Sequence, residues 1–416
     1  MKIADPWKGM RQLGAKAMGG WVAGLLLWSM VPVQAQIDPE NRRLLQMGYN
    51  QPLEGRGPMA AYAYYYYNRP HFYQSNTTLR LAVAPTYLDS QVGFVDALGA
   101  GTDVGLGIAG GGFADSYSEV RLGQLRRDES FVGHGGEVNG AIYHRLNPNH
   151  QIPLSLIARG AIRFSAYEAD SDTSPSFEVP EDRGTFLIRT GVRWGGREPL
   201  MLPSMAMELS AWYEGQFRTS PGEYGFNGDR AVESTAHLAW ARGLLAYTFP
   251  EWHHYLSVSM TLGTSLHADR LSAYRIGGSL PLIAEFPLSL PGYYFQELTA
   301  RRFALFSGIY SIPVDPDGHW EIMGYAATAL VGHLRGLDQP GDWHSGVGGA
   351  LVFRPGSKAL HIMLGYGYGI EARRGDDKGA HNVGFLLQYD FEQGGPLLPH
   401  SINPMKWRGI DRMLGR

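Results

Sequence analysis

The chain has 416 residues, of which 44% are hydrophobic and only 18% charged; its net charge is −3 and it has no cysteine. The near-neutral balance gives no support to a nucleic-acid partner, and none is expected. Without cysteine there is no disulfide, no thiolate metal site and no cysteine nucleophile.

The N-terminus reads as an export signal. Lys2, Lys8, Arg11 and Lys16 precede an apolar run from Trp21 to Val33, and Val33-Gln34-Ala35 ends in the small residue a signal peptidase reads, so cleavage is expected after Ala35. Residues 36–57 are polar and are assigned to a short periplasmic segment. No later stretch has the ~18 unbroken apolar residues of a spanning helix. An exported membrane protein without such helices is a closed barrel, because lipid offers the backbone no hydrogen bonds.

A two-residue rhythm runs through the rest. Ala60 to Tyr67 opens it. Leu79, Leu81, Val83 and Tyr87 alternate with Arg80, Ala82, Ala84 and Thr86, and Val104, Leu106 and Ile108 alternate with small residues. Similar segments lie at 138–143, 154–164, 185–194, 207–217, 235–249, 256–263, 300–312, 320–331 and 346–353. The clearest are Leu360 to Ile370 and His381 to Phe391. Alternation puts apolar side chains on one strand face and small or polar ones on the other. The expected fold is therefore all-β, an antiparallel transmembrane barrel of about 14–16 strands over 58–391. Turns at 146–152, 250–253 and 354–357 are short; connections at 110–131, 168–183, 219–231, 265–300 and 371–380 are long. Short turns are expected in the periplasm and long loops outside.

The lumen-facing parity carries Arg80, Arg159, Arg163, Arg189, Arg193 and Arg242 together with Glu137, Glu208 and Glu214. Both signs occur together, so an arginine–carboxylate network across strands is favoured over a purely basic wall for anions. Tyr65, Tyr66, Tyr67, Trp194, Trp252 and Tyr255 suit interfacial girdles. Catalytic motifs are weak. Ser265 with His267, and His344 with Ser345, lack a nucleophile motif. His253 and His254 are adjacent and point to opposite faces of a strand. No enzyme, metal or cofactor is expected.

One stretch resembles a known family. It runs Tyr274-Arg275-Ile276-Gly277-Gly278, then Pro291-Gly292-Tyr293-Tyr294-Phe295-Gln296-Glu297-Leu298, and ends in Tyr310-Ser311-Ile312-Pro313. This is similar to the bacterial surface antigen barrels of the outer-membrane assembly and two-partner secretion superfamily. The resemblance implies that Gly292 and Tyr293 tip a long loop that folds back into the barrel. An arginine before the glycine would touch the inner wall; here Pro291 stands in that place, and Arg301 and Arg302 are the arginines nearby in sequence that could replace it. Residues 36–57 are too few for a POTRA domain, and no Gly-x-Ser-x-Gly lipase motif is present. The aromatic Phe391 closes the last strand, as barrel assembly machinery would read it, and residues 392–416 form a tail. The expected function is a pore for translocation or membrane insertion in the outer membrane of a Gram-negative-type bacterium, with loop 268–299 as its constriction. The alternatives are a passive porin-like channel for small solutes and an outer-membrane hydrolase. Expected partners are outer-membrane lipid and lipopolysaccharide, the assembly machinery and a separate periplasmic protein.

Overall fold

In the computed structural model, residues 37–393 are described, except 59, 149, 151, 197–204, 280–285 and 356–358. The signal segment with Ala35, and the tail beyond Gln393, lie outside the described residues. The described chain is built from strands. The first are β1 (Arg42–Pro52), β2 (Ala60–Pro70), β3 (Thr77–Ala84), β4 (Tyr87–Phe94) and β5 (Thr102–Gly111). Next come β6 (Tyr117–Arg121), β7 (Gln124–Arg145), β8 (Leu154–Ala169), β9 (Phe177–Glu178), β10 (Arg183–Gly196) and β11 (Met205–Arg218). They continue as β12 (Gly222–Phe226), β13 (Arg230–Val232), β14 (Thr235–Thr248), β15 (Tyr255–Leu266) and β16 (Tyr274–Ile276). The last are β17 (Leu298–Pro313), β18 (Trp320–His333), β19 (Trp343–Phe353), β20 (Leu360–Arg374) and β21 (Asp377–Asp390).

Sixteen of these form one antiparallel barrel, each paired with its neighbour in the chain. β1 closes it by pairing with β21 from Leu44–Asp390 to Pro52–Asn382. Closure leaves no open edge, which a hydrocarbon environment would not tolerate. β6 and β16 lengthen the wall beside β7 and β17 at one end, and β9, β12 and β13 form a separate small sheet.

The rhythm of the sequence becomes two faces. On β8, Leu156, Ile162 and Phe164 are exposed while Ser155, Ile157, Ala161 and Ser165 are buried. The same holds around the barrel for Val138, Phe186, Leu209, Met260, Phe306, Ile322 and Leu364. A continuous outward apolar band of this kind is the lipid-contacting surface of a membrane barrel. Ile162 lies mid-strand, 69% exposed, between Val138 on β7 and Phe186 on β10. Ile162→Arg is expected to cost about 2–4 kcal/mol, as for a cation at the membrane midplane. Urea unfolding of the lipid-refolded protein checks this, through a midpoint lower than that of Ile162→Val.

The structure differs from the sequence reading in three places. Residues 42–52, assigned to a periplasmic segment, are barrel strand β1. Its inward face is Leu44, Gln46, Gly48 and Asn50, so the polar lumen side hid the alternation of Leu45, Met47 and Tyr49. The segment through Tyr87 is two strands, β3 and β4, turned at Pro85-Thr86. The long connections at 110–131 and 371–380 are largely strand, because β7 and β20 run on past the barrel's other strands into hairpins.

At the loop-rich end the connections fold together. Tyr117, Phe131, Phe177, Tyr224 and Val232 make a separate apolar core there. Arg230 is buried beneath it between Glu119 and Glu129. The β6–β7 hairpin reaches the β20–β21 hairpin. A Cβ on Gly123 would lie 1.6 Å from the Arg373 carbonyl oxygen, and Gly123 has φ +69°, so only glycine fits that contact.

Candidate functional site: the luminal loop and its seat

The inner wall carries charge in register. Arg163 stands opposite Glu137 across the β7–β8 ladder, and Arg159 stands opposite Arg189 across β8–β10. Facing like charges are unfavourable, and flanking carboxylates relieve them. Glu137 accepts from Arg159 at 2.5 Å and Arg163 at 2.7 Å, while Glu214 pairs with Arg189 at 2.6 Å. Below them Arg193 meets Glu208 at 3.1 Å, and Ser210 donates to the same carboxylate. Arg80 pairs with Asp89 at 3.1 Å. Arg242 lies with its guanidinium 5.8 Å from the Phe286 ring. These groups thus sit in ion pairs and ring contacts across neighbouring strands.

The connection between β15 and β17 crosses this lumen. Its base is tied to the folded loops: Arg275 donates to the Ser118 carbonyl at 2.8 Å and stacks on Tyr117, and Arg270 meets Glu119 at 3.3 Å. Two glycines then turn the chain. Gly277 has φ +142° and Gly278 φ +94°, and a Cβ on Gly277 would strike the Tyr294 carbonyl oxygen at 2.3 Å. Gly278 pairs with Leu290, which draws the two arms of the loop together. Phe286 leaves it towards β11 and β14, edge-on to Trp212 at 5.6 Å and Trp240 at 5.5 Å. The stretch Pro291-Gly292-Tyr293, which the family resemblance makes the tip, goes the other way, to β19–β21.

The tip seats on a stripe of wall without side chains. Gly346 faces Pro291, with the Pro291 carbonyl oxygen 2.1 Å from where a Cβ would be. Gly367 faces Ser279 and Gly292, and Gly369 faces the Tyr293 ring. Gly292, with φ +81°, lies so near β20 that a Cβ would be 1.8 Å from the Gly369 nitrogen. Polar contacts fix the seat. Ser279 donates to Asn382 at 2.6 Å and accepts from the Gly292 N–H at 3.1 Å; Asn382 donates to the Tyr293 carbonyl at 3.3 Å. Ile276, Leu290, Tyr293 and Leu298 join Phe303, Leu305, Ala329 and Val331 in one buried core.

Arg374, at the end of β20, clamps the loop. Its guanidinium donates to both Glu297 oxygens at 3.0 and 3.1 Å and to the Gly292 carbonyl at 3.0 Å, and stacks 3.5 Å from the Tyr294 ring centroid. Glu297 is wholly buried and also accepts from the Tyr294 N–H at 2.7 Å. Burial pushes the Tyr293 hydroxyl well above its ordinary range, so it stays protonated; it lies 3.2 Å from His344 Nδ1.

Gly277, Gly278, Pro291, Gly292, Tyr293 and Glu297 are thus brought together, and the wall arginines lie apart from them. The arginine that touches the tip comes from the wall, not from the loop. Arg302 instead lies across Gly332 on the outer face, and Arg301 is exposed at the bulge beside it. Sequence reasoning missed Arg374, because it sits in a hairpin far from the loop motif. The one available signal was the run of glycines at Gly365, Gly367 and Gly369, which leaves a strand face bare. The hydrolase pairs do not converge. Ser265 is buried and donates to the Arg301 carbonyl, while His267 meets His237 edge to face. His344 is buried, while Ser345 bonds Thr328 on the other face of the strand.

No family model matches the sequence, and no curated protein matches it. Among solved structures, the chain is similar to CdiB from Acinetobacter baumannii, with TM-score 0.55 and 12% identity over 84% of this chain and 60% of that one. It is also similar to BamA from Haemophilus ducreyi lacking POTRA domains 1–3, with TM-score 0.52 and 9% identity over 85% of this chain and 71% of that one. The chain thus spans about 60% of the length of the CdiB structure. At these identities the likeness is one of fold: this chain forms the barrel seen in those two proteins.

Proposed function

We propose that the chain is an outer-membrane barrel of the assembly and secretion type, in which the loop between β15 and β17 gates a luminal path for translocation or membrane insertion. The observation that carries this reading is the seat itself. Pro291-Gly292-Tyr293 lies on bare wall at Gly346, Gly367 and Gly369, held by Arg374, while Phe286 reaches the wall at β11 and β14. Glycines at these wall positions let the loop backbone lie close against the wall inside the lumen, where its presence narrows any path through the barrel. The paired charges beyond the loop would line the path once it opens, and they favour neither sign of solute.

Planar-bilayer conductance tests the reading. The intact protein is compared with a variant whose residues 277–294 are replaced by a Gly-Ser link, both checked for heat-resistant folded mobility on gels. The expected result is small, intermittent current from the intact protein and large, steady current from the shortened one. Equal steady currents would make the barrel a passive channel. No current from either would mean that side chains fill the lumen, and the gate reading would fall.

A further inference from the structure

Behind the loop tip lies a pair of histidines that the gate does not require. His333 ends β18 and His344 is the second residue of β19, both turned inward and buried, at 9% and 1% exposure. Their Nε2 atoms are 3.3 Å apart, and the Gly341 carbonyl oxygen is 3.4 Å from His333 Nε2. As a hydrogen bond the imidazole contact is long for nitrogen donors. As an edge of a metal polyhedron it fits well: ligands about 2.0–2.1 Å from a tetrahedral zinc stand ~3.4 Å apart.

A ligating imidazole also needs its second nitrogen held by a partner, which sets the tautomer and the ring angle. His344 has one, in the Tyr293 hydroxyl 3.2 Å from Nδ1, with the two rings edge to face at 5.8 Å. His333 Nδ1 is buried with no hydrogen-bond partner among the described residues, so of the two imidazoles only that of His344 is oriented in this way. The cover over the pair is the 334–342 hairpin, where Arg335, Gly336, Asp338, Gly341 and Asp342 are exposed.

We propose that His333 Nε2, His344 Nε2 and the Gly341 carbonyl form a seat for a divalent zinc ion, with water as the fourth ligand. Bound zinc would join the β18–β19 hairpin to the gate, because the imidazole it fixes is the one holding Tyr293. The seat stands on its own geometry; its effect on opening rests on the gate reading above. One other cluster of ligand-type side chains lies among the described residues, Asp315, Asp317 and His319, on an exposed turn. It has no further feature pointing to an ion and serves as a control.

Calorimetric titration of zinc into the full-length, detergent-folded protein tests the proposal. One ion per chain is expected, with affinity at least tenfold weaker in His333→Gln and in His344→Gln. Tyr293→Phe, which keeps every ligand, should weaken it by about tenfold through loss of the orienting oxygen. His319→Gln and His267→Gln should bind as the parent does. No saturable binding, binding undiminished in both ligand variants, or loss in either control would overturn the seat. Zinc should also lower the opening frequency in bilayers. Tight binding without that change would retain the seat and remove its link to the gate.

Discussion

Gly292→Val is expected to open the barrel while leaving it folded. Two constraints act at this position. The backbone has φ +81°, a region in which side chains other than glycine are strained by about 1–2 kcal/mol. Space is the larger constraint. A Cβ would sit 1.8 Å from the Gly369 nitrogen and 2.4 Å from the Tyr368 carbonyl carbon. Those atoms belong to β20, which is paired on one side with β19 and on the other with β21, so the wall cannot move aside. The loop, held to the wall by side-chain contacts rather than by a strand ladder, has to lift. The current of the intact protein should rise several-fold and become steadier. Gly308→Val on β17, where a Cβ meets nothing within 4 Å, should leave it as it was. A folded Gly292→Val protein with parental current would contradict the account.

Arg374→Met is expected to release the same loop by another route. Its guanidinium is 6% exposed and the Glu297 carboxylate 0%, so removing the cation strands a buried charge with one backbone N–H. Breaking such a pair from one side costs about 3–5 kcal/mol. The cost falls on docking of the loop rather than on the barrel ladder. Even 3 kcal/mol shifts that equilibrium about 100-fold. Limited proteolysis checks it: cleavage between 277 and 297 should accelerate by that order while the folded barrel persists. Adding Glu297→Gln to Arg374→Met removes the stranded charge and should restore much of the protection. Arg374→Lys should not, because an ammonium cannot serve two carboxylate oxygens, a carbonyl and the Tyr294 ring face together.

The barrel was legible because lipid and lumen impose opposite demands on alternate residues. Leu360 to Ile370 shows this in full, and it became β20 with Leu364 and Tyr366 outside and Met363, Gly367 and Gly369 inside. Legibility failed where one demand weakened. β1 has polar and small residues inward and a short apolar set outward, so its pattern is faint. β7 and β20 run on past the barrel's other strands, and there charged residues such as Arg126, Arg127, Arg373 and Arg374 break the alternation, as in a loop. The loop motif was legible from the glycines and the Gly292-Tyr293 pair, since close backbone approach leaves a mark in sequence. Its partners were not. Arg374, Asn382 and His344 meet it only through barrel closure, which brings β19–β21 beside a loop that leaves from β15.

The most direct test of a moving loop is to lock it. Ser279 on the loop and Asn382 on β21 touch through a 2.6 Å hydrogen bond, and the chain has no cysteine to interfere. Ser279→Cys with Asn382→Cys puts a thiol at each side of this contact, to be oxidised to a disulfide across the seat. Single-channel recording of the oxidised protein should show a silent barrel, and reduction in the same bilayer should return the intermittent openings of the parent. Openings of equal size and frequency before and after reduction, with the disulfide confirmed by mass, would show that the seated loop is not the gate.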